Sequence, residues 1–165
     1  MKITFIIIGI VAAVIAVVIV IGAMLPKHHI VTRSALIKAS PEQVFQLISG
    51  PPDWRTDLKT YSLAEEGEKY LLRETDKHGQ TITYERVEYR PPTLLKTIII
   101  DKNLPFGGAW TWNLQAQNNG CVVTITENGE IYNPVFRFVS RFLIGYTRMI
   151  DNYLARLTQV AENGR

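Results

Sequence analysis

Residues 133–162 read NPVFRFVSRFLIGYTRMIDNYLARLTQVAE, and this stretch decides the fold. Asn133 is a good helix N-cap, and Pro134 suits the first helical position, where a missing N–H is harmless. Val135, Phe138, Phe142, Tyr146, Met149, Tyr153, Leu157 and Val160 recur at steps of three and four, which places them on one helical face. Phe136, Leu143, Ile150 and Leu154 widen that face. Arg137, Arg141 and Arg148 fall on nearly the opposite side. The pattern predicts one long C-terminal helix over Asn133–Glu162. A helix apolar over so wide a sector must lie in a large hydrophobic trough.

The segments before it supply that trough. Ile30–Ala39 reads as a first strand. Ser40-Pro41-Glu42-Gln43 then combines an N-cap, a proline at the first position and Gln three residues after the cap, a capping-box start. The helix Pro41–Ile48 ends at Ser49-Gly50-Pro51-Pro52, and Asp53-Trp54-Arg55 opens a second short helical turn ending near Leu58. Six strands follow at hairpin spacing: Thr60–Glu65, Lys69–Asp76, Thr81–Arg90, Leu94–Lys102, Ala109–Gln117 and Cys121–Tyr132. Turn residues separate them, from Glu66-Gly67 to Asn118-Asn119-Gly120. Consecutive hairpins make a seven-stranded antiparallel sheet, and only the C-terminal helix is large enough to cover one of its faces. The fold class is α+β.

Ile3–Leu25 (ITFIIIGIVAAVIAVVIVIGAML) carries no charge. As a helix it spans roughly 35 Å, against a hydrocarbon core of ~30 Å. A cleaved signal peptide is the competing reading, but the apolar core exceeds the usual length and no A-x-A site follows. The sequence thus divides into a single-pass transmembrane anchor, 1–26, and a domain, 27–165. Lys27, Arg33 and Lys38 slightly favour the domain on the cytoplasmic side. Pro26–His29 reads as a short linker. His28 and His29 point to opposite sides of an extended chain with no His or Cys cluster following, so they read as solvated juxtamembrane residues and not as metal ligands.

Composition narrows the class. The chain has 165 residues, enough for one domain with a real core. Formal charge is +3, and Lys2 is the only charged side chain before Lys27. The domain is nearly balanced and has no basic run interleaved with aromatics, which argues against nucleic acid as a partner. The lone Cys121 precludes an intrachain disulfide and reads as a buried thiol. No motif calls for a metal or other cofactor.

The order of elements resembles the helix-grip domain of the START/Bet v 1-like (SRPBCC) superfamily, most closely its polyketide cyclase/dehydrase-like branch. The resemblance rests on Ala39-Ser40-Pro41-Glu42-Gln43-Val44-Phe45 with Asp53-Trp54 after it. It also rests on Phe106-Gly107-Gly108-Ala109-Trp110-Thr111-Trp112 and on residues 124–134, TITENGEIYNP. It covers Ile30 to the C-terminus. It implies a curved sheet wrapped around the long helix, with a cavity between them for an apolar ligand. The superfamily hosts carriers, receptors, cyclases and interaction modules, so the fold alone leaves the activity open.

The residues expected around such a cavity are Trp54 from the short turn, Ile82, Tyr84 and Arg86 from one strand, Trp110, Trp112 and Leu114 from a second, and Ile125 and Glu127 from a third. Phe138, Phe142, Tyr146 and Met149 from the helix complete it. Arg86 and Glu127 interrupt apolar faces. A charge there is costly unless it is paired or used, so they are candidates to hold a ligand head group, facing one another, or to reach solvent at a strand end. Arg137, Arg141 and Arg148 form a stripe that either is solvated or lies on anionic head groups. No catalytic motif is present, and Glu127 is the best candidate acid–base group. Three readings stand: a membrane-anchored binder of a hydrophobic small molecule or lipid, a cyclase-like enzyme on an apolar substrate, and a module whose groove takes a protein partner.

Overall fold

The computed structural model describes residues 2–164. An apolar helix, α1 (Lys2–Met24), leads into β1 (His28–Ile37) and α2 (Pro41–Ser49). Six strands follow: β2 (Leu58–Glu66), β3 (Lys69–Asp76), β4 (Thr81–Arg90), β5 (Leu94–Ile99), β6 (Phe106–Gln117) and β7 (Gly120–Ile131). The chain ends in α3 (Pro134–Val139), a π-helical turn (Ser140–Ile144) and α4 (Arg148–Asn163). The strands form one seven-stranded sheet in the order β1-β7-β6-β5-β4-β3-β2, with every neighbouring pair antiparallel. The meander expected from the hairpin spacing is present, and β1 closes its far edge against β7.

Strand alternation fixes the inner face. Val123 and Ile125 of β7, Trp112 and Leu114 of β6 and Ile37 of β1 are buried. They meet Ile150, Leu154 and Leu157 of α4 and Val44 and Phe45 of α2 in one core. Each such large side chain stabilises the fold by about 1.5–3 kcal/mol. Cys121 is buried in this core, and burial pushes its thiol up. The capping box of α2 forms as read, with Gln43 N donating to Ser40 Oγ and Ser40 N to Gln43 Oε1.

Three expectations are corrected. Residues 53–57 form hydrogen-bonded turns, not a second short helix. His28 and His29 belong to β1, so the linker shrinks to Leu25–Lys27, and Ile131 N already donates to Lys27 O. The long C-terminal helix is broken in two. Asn133 caps α3 as anticipated, its Oδ1 accepting from Val135 N and Phe136 N. The helix then widens into the π turn, which Gly145 N closes on Ser140 O. Gly145 has φ +82°, a conformation L side chains rarely adopt, and α4 starts afresh at Arg148. The periodicity is continuous across the break because both segments bury an apolar stripe, but they bury it against different partners.

The partner of α3 is α1. Val18, Gly22 and Leu25 are the shielded positions at the C-terminal end of α1, one face of a helix. A Cβ on Gly22 would lie 2.0 Å from Pro134 O, so only glycine allows this approach. Arg137 is 5% exposed and donates from Nη1 to Leu25 O at 2.7 Å and to Ala23 O at 3.4 Å. These are carbonyls that a helix C-terminus leaves without partners, and a cation there also suits the helix dipole. Arg137 is therefore a clamp between helices and not part of a surface stripe; Arg141 and Arg148 are exposed as expected.

Candidate functional site

Side chains on the concave face of the sheet form four adjoining groups. The first is aromatic. The Tyr153 ring of α4 lies 5.2 Å from Trp54, 5.6 Å from Trp110 and 6.2 Å from Trp112, between centroids. These rings occupy the space between α4 and the sheet where the cavity was expected. Burial pushes the Tyr153 hydroxyl up. The buried Trp112 indole N–H faces that hydroxyl without reaching hydrogen-bond geometry.

The second group is ionic. Arg55, from the turn after α2, reaches under the sheet and donates from Nη1 to both carboxylate oxygens of Glu74 at 2.7 Å. Its Nη2 meets Asp57 at 2.5 Å. Glu74 is only 6% exposed, so its charge depends on this partner. Burial alone would raise Asp57, but the Arg55 hydrogen bond and charge outweigh it and hold the carboxyl below its usual range. The sequence reading missed Arg55 and Glu74. The signal was a charge at period two from Tyr70 and Leu72 on β3, the same signal that singled out Arg86 on β4.

The third group surrounds Arg86. Its guanidinium lies 3.8 Å from the Tyr70 ring centroid and 4.1 Å from that of Tyr89, a cation held between two aromatic faces. A bulge between Arg86 and Glu88 leaves Tyr89 on the same side as Arg86. Among the described residues, no carboxylate lies within ion-pair distance of Arg86. It borders a pocket of about 30 Å³ with Ile48, Leu63, Leu72, Tyr84 and Leu95. Burial pushes the Tyr84 phenol up. A wider groove of about 320 Å³ lies outside the grip between α2 and the end of α4, and holds none of the expected site residues.

The fourth group closes the end of the sheet nearest α1. His29 Nε2 stands 3.5 Å from Glu127 Oε1. Its ring stacks on Tyr146 at 4.2 Å between centroids. Gly129 makes room for it, since a Cβ there would lie 2.3 Å from the imidazole. Burial pushes Glu127 up to about 6, offset in part by the Trp110 indole. Burial lowers His29. His29 is thus not a solvated linker residue; its partners come from β7 and the break before α4, which the local sequence does not reveal.

Trp54, Trp112, Leu114 and Ile125 are buried in the core, and Ile82, Tyr84, Arg86, Trp110 and Glu127 are partly buried on the concave face. Arg86 and Glu127 share one register row, Arg86–Thr97–Trp110–Glu127. Three strand spacings, roughly 14 Å along the sheet, separate them, so they do not pair. Tyr146 joins the site through His29. Phe138 packs on Phe142, but Phe142 and Met149 are 57% and 67% exposed and lie outside the concave face.

The comparisons agree with this architecture. The truncated norcoclaurine synthase of Thalictrum flavum is similar at TM-score 0.63 and 13% identity, over 84% of this chain and 96% of that one. The di-domain ARO/CYC StfQ of the steffimycin biosynthetic pathway is similar at TM-score 0.64 and 12% identity, over 81% of this chain and 50% of that one. The protein XoxI of Bacillus cereus is similar at TM-score 0.57 and 20% identity, over 82% of this chain and 96% of that one. At these identities the likeness is one of fold. No curated protein matches. A family model described as polyketide cyclase / dehydrase and lipid transport matches residues 28–162, nearly everything after α1 and its linker. The chain belongs to the polyketide cyclase/dehydrase and lipid transport family.

Proposed function

We propose that this chain is a membrane-anchored binder of a hydrophobic small molecule or lipid bearing an acidic head group. The observation that carries the reading is Arg86. It is a half-buried cation without an acidic partner among the described residues, set between two tyrosine rings at the edge of an apolar pocket. Small-molecule sites pair an apolar lining with a few placed polar groups, and a carboxylate or phosphate would complete this one. The family description supports a hydrophobic ligand. The pocket is small, so binding an acyl or polyketide chain requires the aromatic centre to yield, with Gly145 as a natural pivot. The anchor, residues 1–26, would hold the domain, residues 27–165, where such ligands are concentrated.

Native mass spectrometry of the full chain released from nanodiscs tests this. The wild type should retain one apolar acid that Arg86→Met loses. A bare mass for the wild type after exposure to a mixed lipid extract would reject the reading.

A second reading, a cyclase-like enzyme, draws on the His29–Glu127 pair. A carboxyl pushed up to about 6 and a histidine lowered by burial, 3.5 Å apart, form an acid–base couple near neutral pH. Turnover of an apolar carbonyl substrate that disappears in both Glu127→Gln and His29→Phe, with binding retained, would favour it over the binder.

A further inference from the structure

The segment between α3 and α4 exposes large apolar side chains in succession. Phe136 is 50% exposed, Phe142 57%, Leu143 71% and Ile144 52%. A soluble surface seldom leaves so contiguous an apolar group bare. The arrangement of α1 indicates what covers it. The last two turns of α1 are packed against α3 through Val18 and Gly22, and Arg137 ties α3 to the α1 carboxyl end. Were those turns outside the bilayer, only Lys2–Val17 would remain to cross it. That stretch reaches roughly 24 Å as a helix, short of the ~30 Å hydrocarbon thickness. The packed turns must therefore lie within the membrane, and α3 with the π turn lies beside them at that depth. Lys27, Arg141 and Arg148 are exposed around this region. That suits the level of the phosphates, where long cationic side chains extend to the interface.

The geometry points to a second membrane element: α3 and the π turn, with Phe136, Phe142, Leu143 and Ile144 seated in the acyl-chain region of the leaflet next to the domain. The inference rests on α1 being a membrane span. It makes the domain a body seated in the bilayer surface and not one swinging on a tether. It also brings the end of the concave face at His29 and Tyr146 to the membrane interface, so that an apolar ligand would reach it from the lipid side.

Single spin labels on the full chain test this, in a Cys121→Ala background reconstituted into phosphatidylcholine–phosphatidylglycerol vesicles. Labels replace Leu143, Phe142, Val11 in the middle of α1, and Lys77 in the β3–β4 turn. The expected result is that labels at 142, 143 and 11 collide several-fold more often with oxygen than with an aqueous nickel chelate, with the reverse ratio at 77. Labels at 142 and 143 that favour nickel, or are shielded from both reagents by protein, while the label at 11 reports lipid, would overturn the second element and leave the anchor standing. A label at 11 that also favours nickel would overturn both.

Discussion

Two residues on the concave face carry opposite electrostatic histories. Glu127 is partly buried without a full counter-charge, so folding raises its carboxyl to about 6 from an ordinary value of 4.5. A carboxyl raised by folding stabilises the native state fully below its unfolded value, and that contribution is lost as the pH rises from about 4.5 through 6. Glu127→Gln should therefore match the wild type near pH 4 and exceed it by up to about 2 kcal/mol at pH 7. Urea denaturation at the two pH values checks this, and a pH-independent difference would contradict it. His29, lowered by burial, works in the other direction: its effect costs stability as the pH falls below its unfolded value. Glu74 is also raised by burial, but there Arg55 at 2.7 Å opposes the shift. Removing that partner leaves a buried carboxylate alone. Arg55→Met should cost about 3–5 kcal/mol, and Arg55→Met/Glu74→Leu should recover most of the loss. Thermal denaturation of the two variants checks it; equal losses would mean that the turn after α2, and not the ion pair, was damaged.

At the level of elements, the break between α3 and α4 is decided by one backbone position. Gly145 combines φ +82° with open space around its Cα. Gly145→Ala meets no steric neighbour but must adopt a strained backbone, at about 1–3 kcal/mol. Either stability falls by that amount or the two segments straighten toward a continuous helix, and circular dichroism with thermal denaturation distinguishes the two. The docking of α1 on α3 depends on two further contacts. Arg137→Met removes charge-assisted hydrogen bonds to Ala23 O and Leu25 O, each worth about 1.5–3 kcal/mol. Amide exchange in the turn Ala23–Lys27 should accelerate while exchange in β6 and β7 stays unchanged. Uniform acceleration would show instead that Arg137 supports the whole domain.

At the level of the molecule, the aromatic centre and the pocket at Arg86 belong to one interior. Tyr153 fills the space between α4 and the sheet where the sequence led us to expect a cavity. Tyr153→Ala should lower stability by about 3–5 kcal/mol and enlarge the pocket, so that an apolar acid binds more tightly while the apo protein melts earlier. Calorimetry with a fatty acid checks both; lower stability without a gain in affinity would separate the aromatic centre from the site. Much of this molecule is legible in the chain itself. Period-two alternation between turn residues specifies the seven-stranded meander, because one sheet face must be buried. Ser40-Pro41-Glu42-Gln43 and Asn133-Pro134 mark two helix starts, because caps are local chemistry. The unbroken apolar run before Lys27 marks a span-length helix, and the charges at Arg86 and Glu127 stand out against their strands. What the chain left undecided depends on contacts between residues far apart. Periodicity cannot show that one apolar stripe serves two partners, so the single helix expected over Asn133–Glu162 ran on through Gly145. Arg137 read as a surface charge because its acceptors are the carbonyls of a helix more than a hundred residues away. His29 read as linker because Glu127 and Tyr146 reach it only after β1 pairs with β7. The sequence by itself determined the elements and the faces they bury; only the tertiary structure decided which charges were paired, how much space remained between sheet and helix, and which apolar side chains stayed exposed, because each depends on distances that local pattern does not encode.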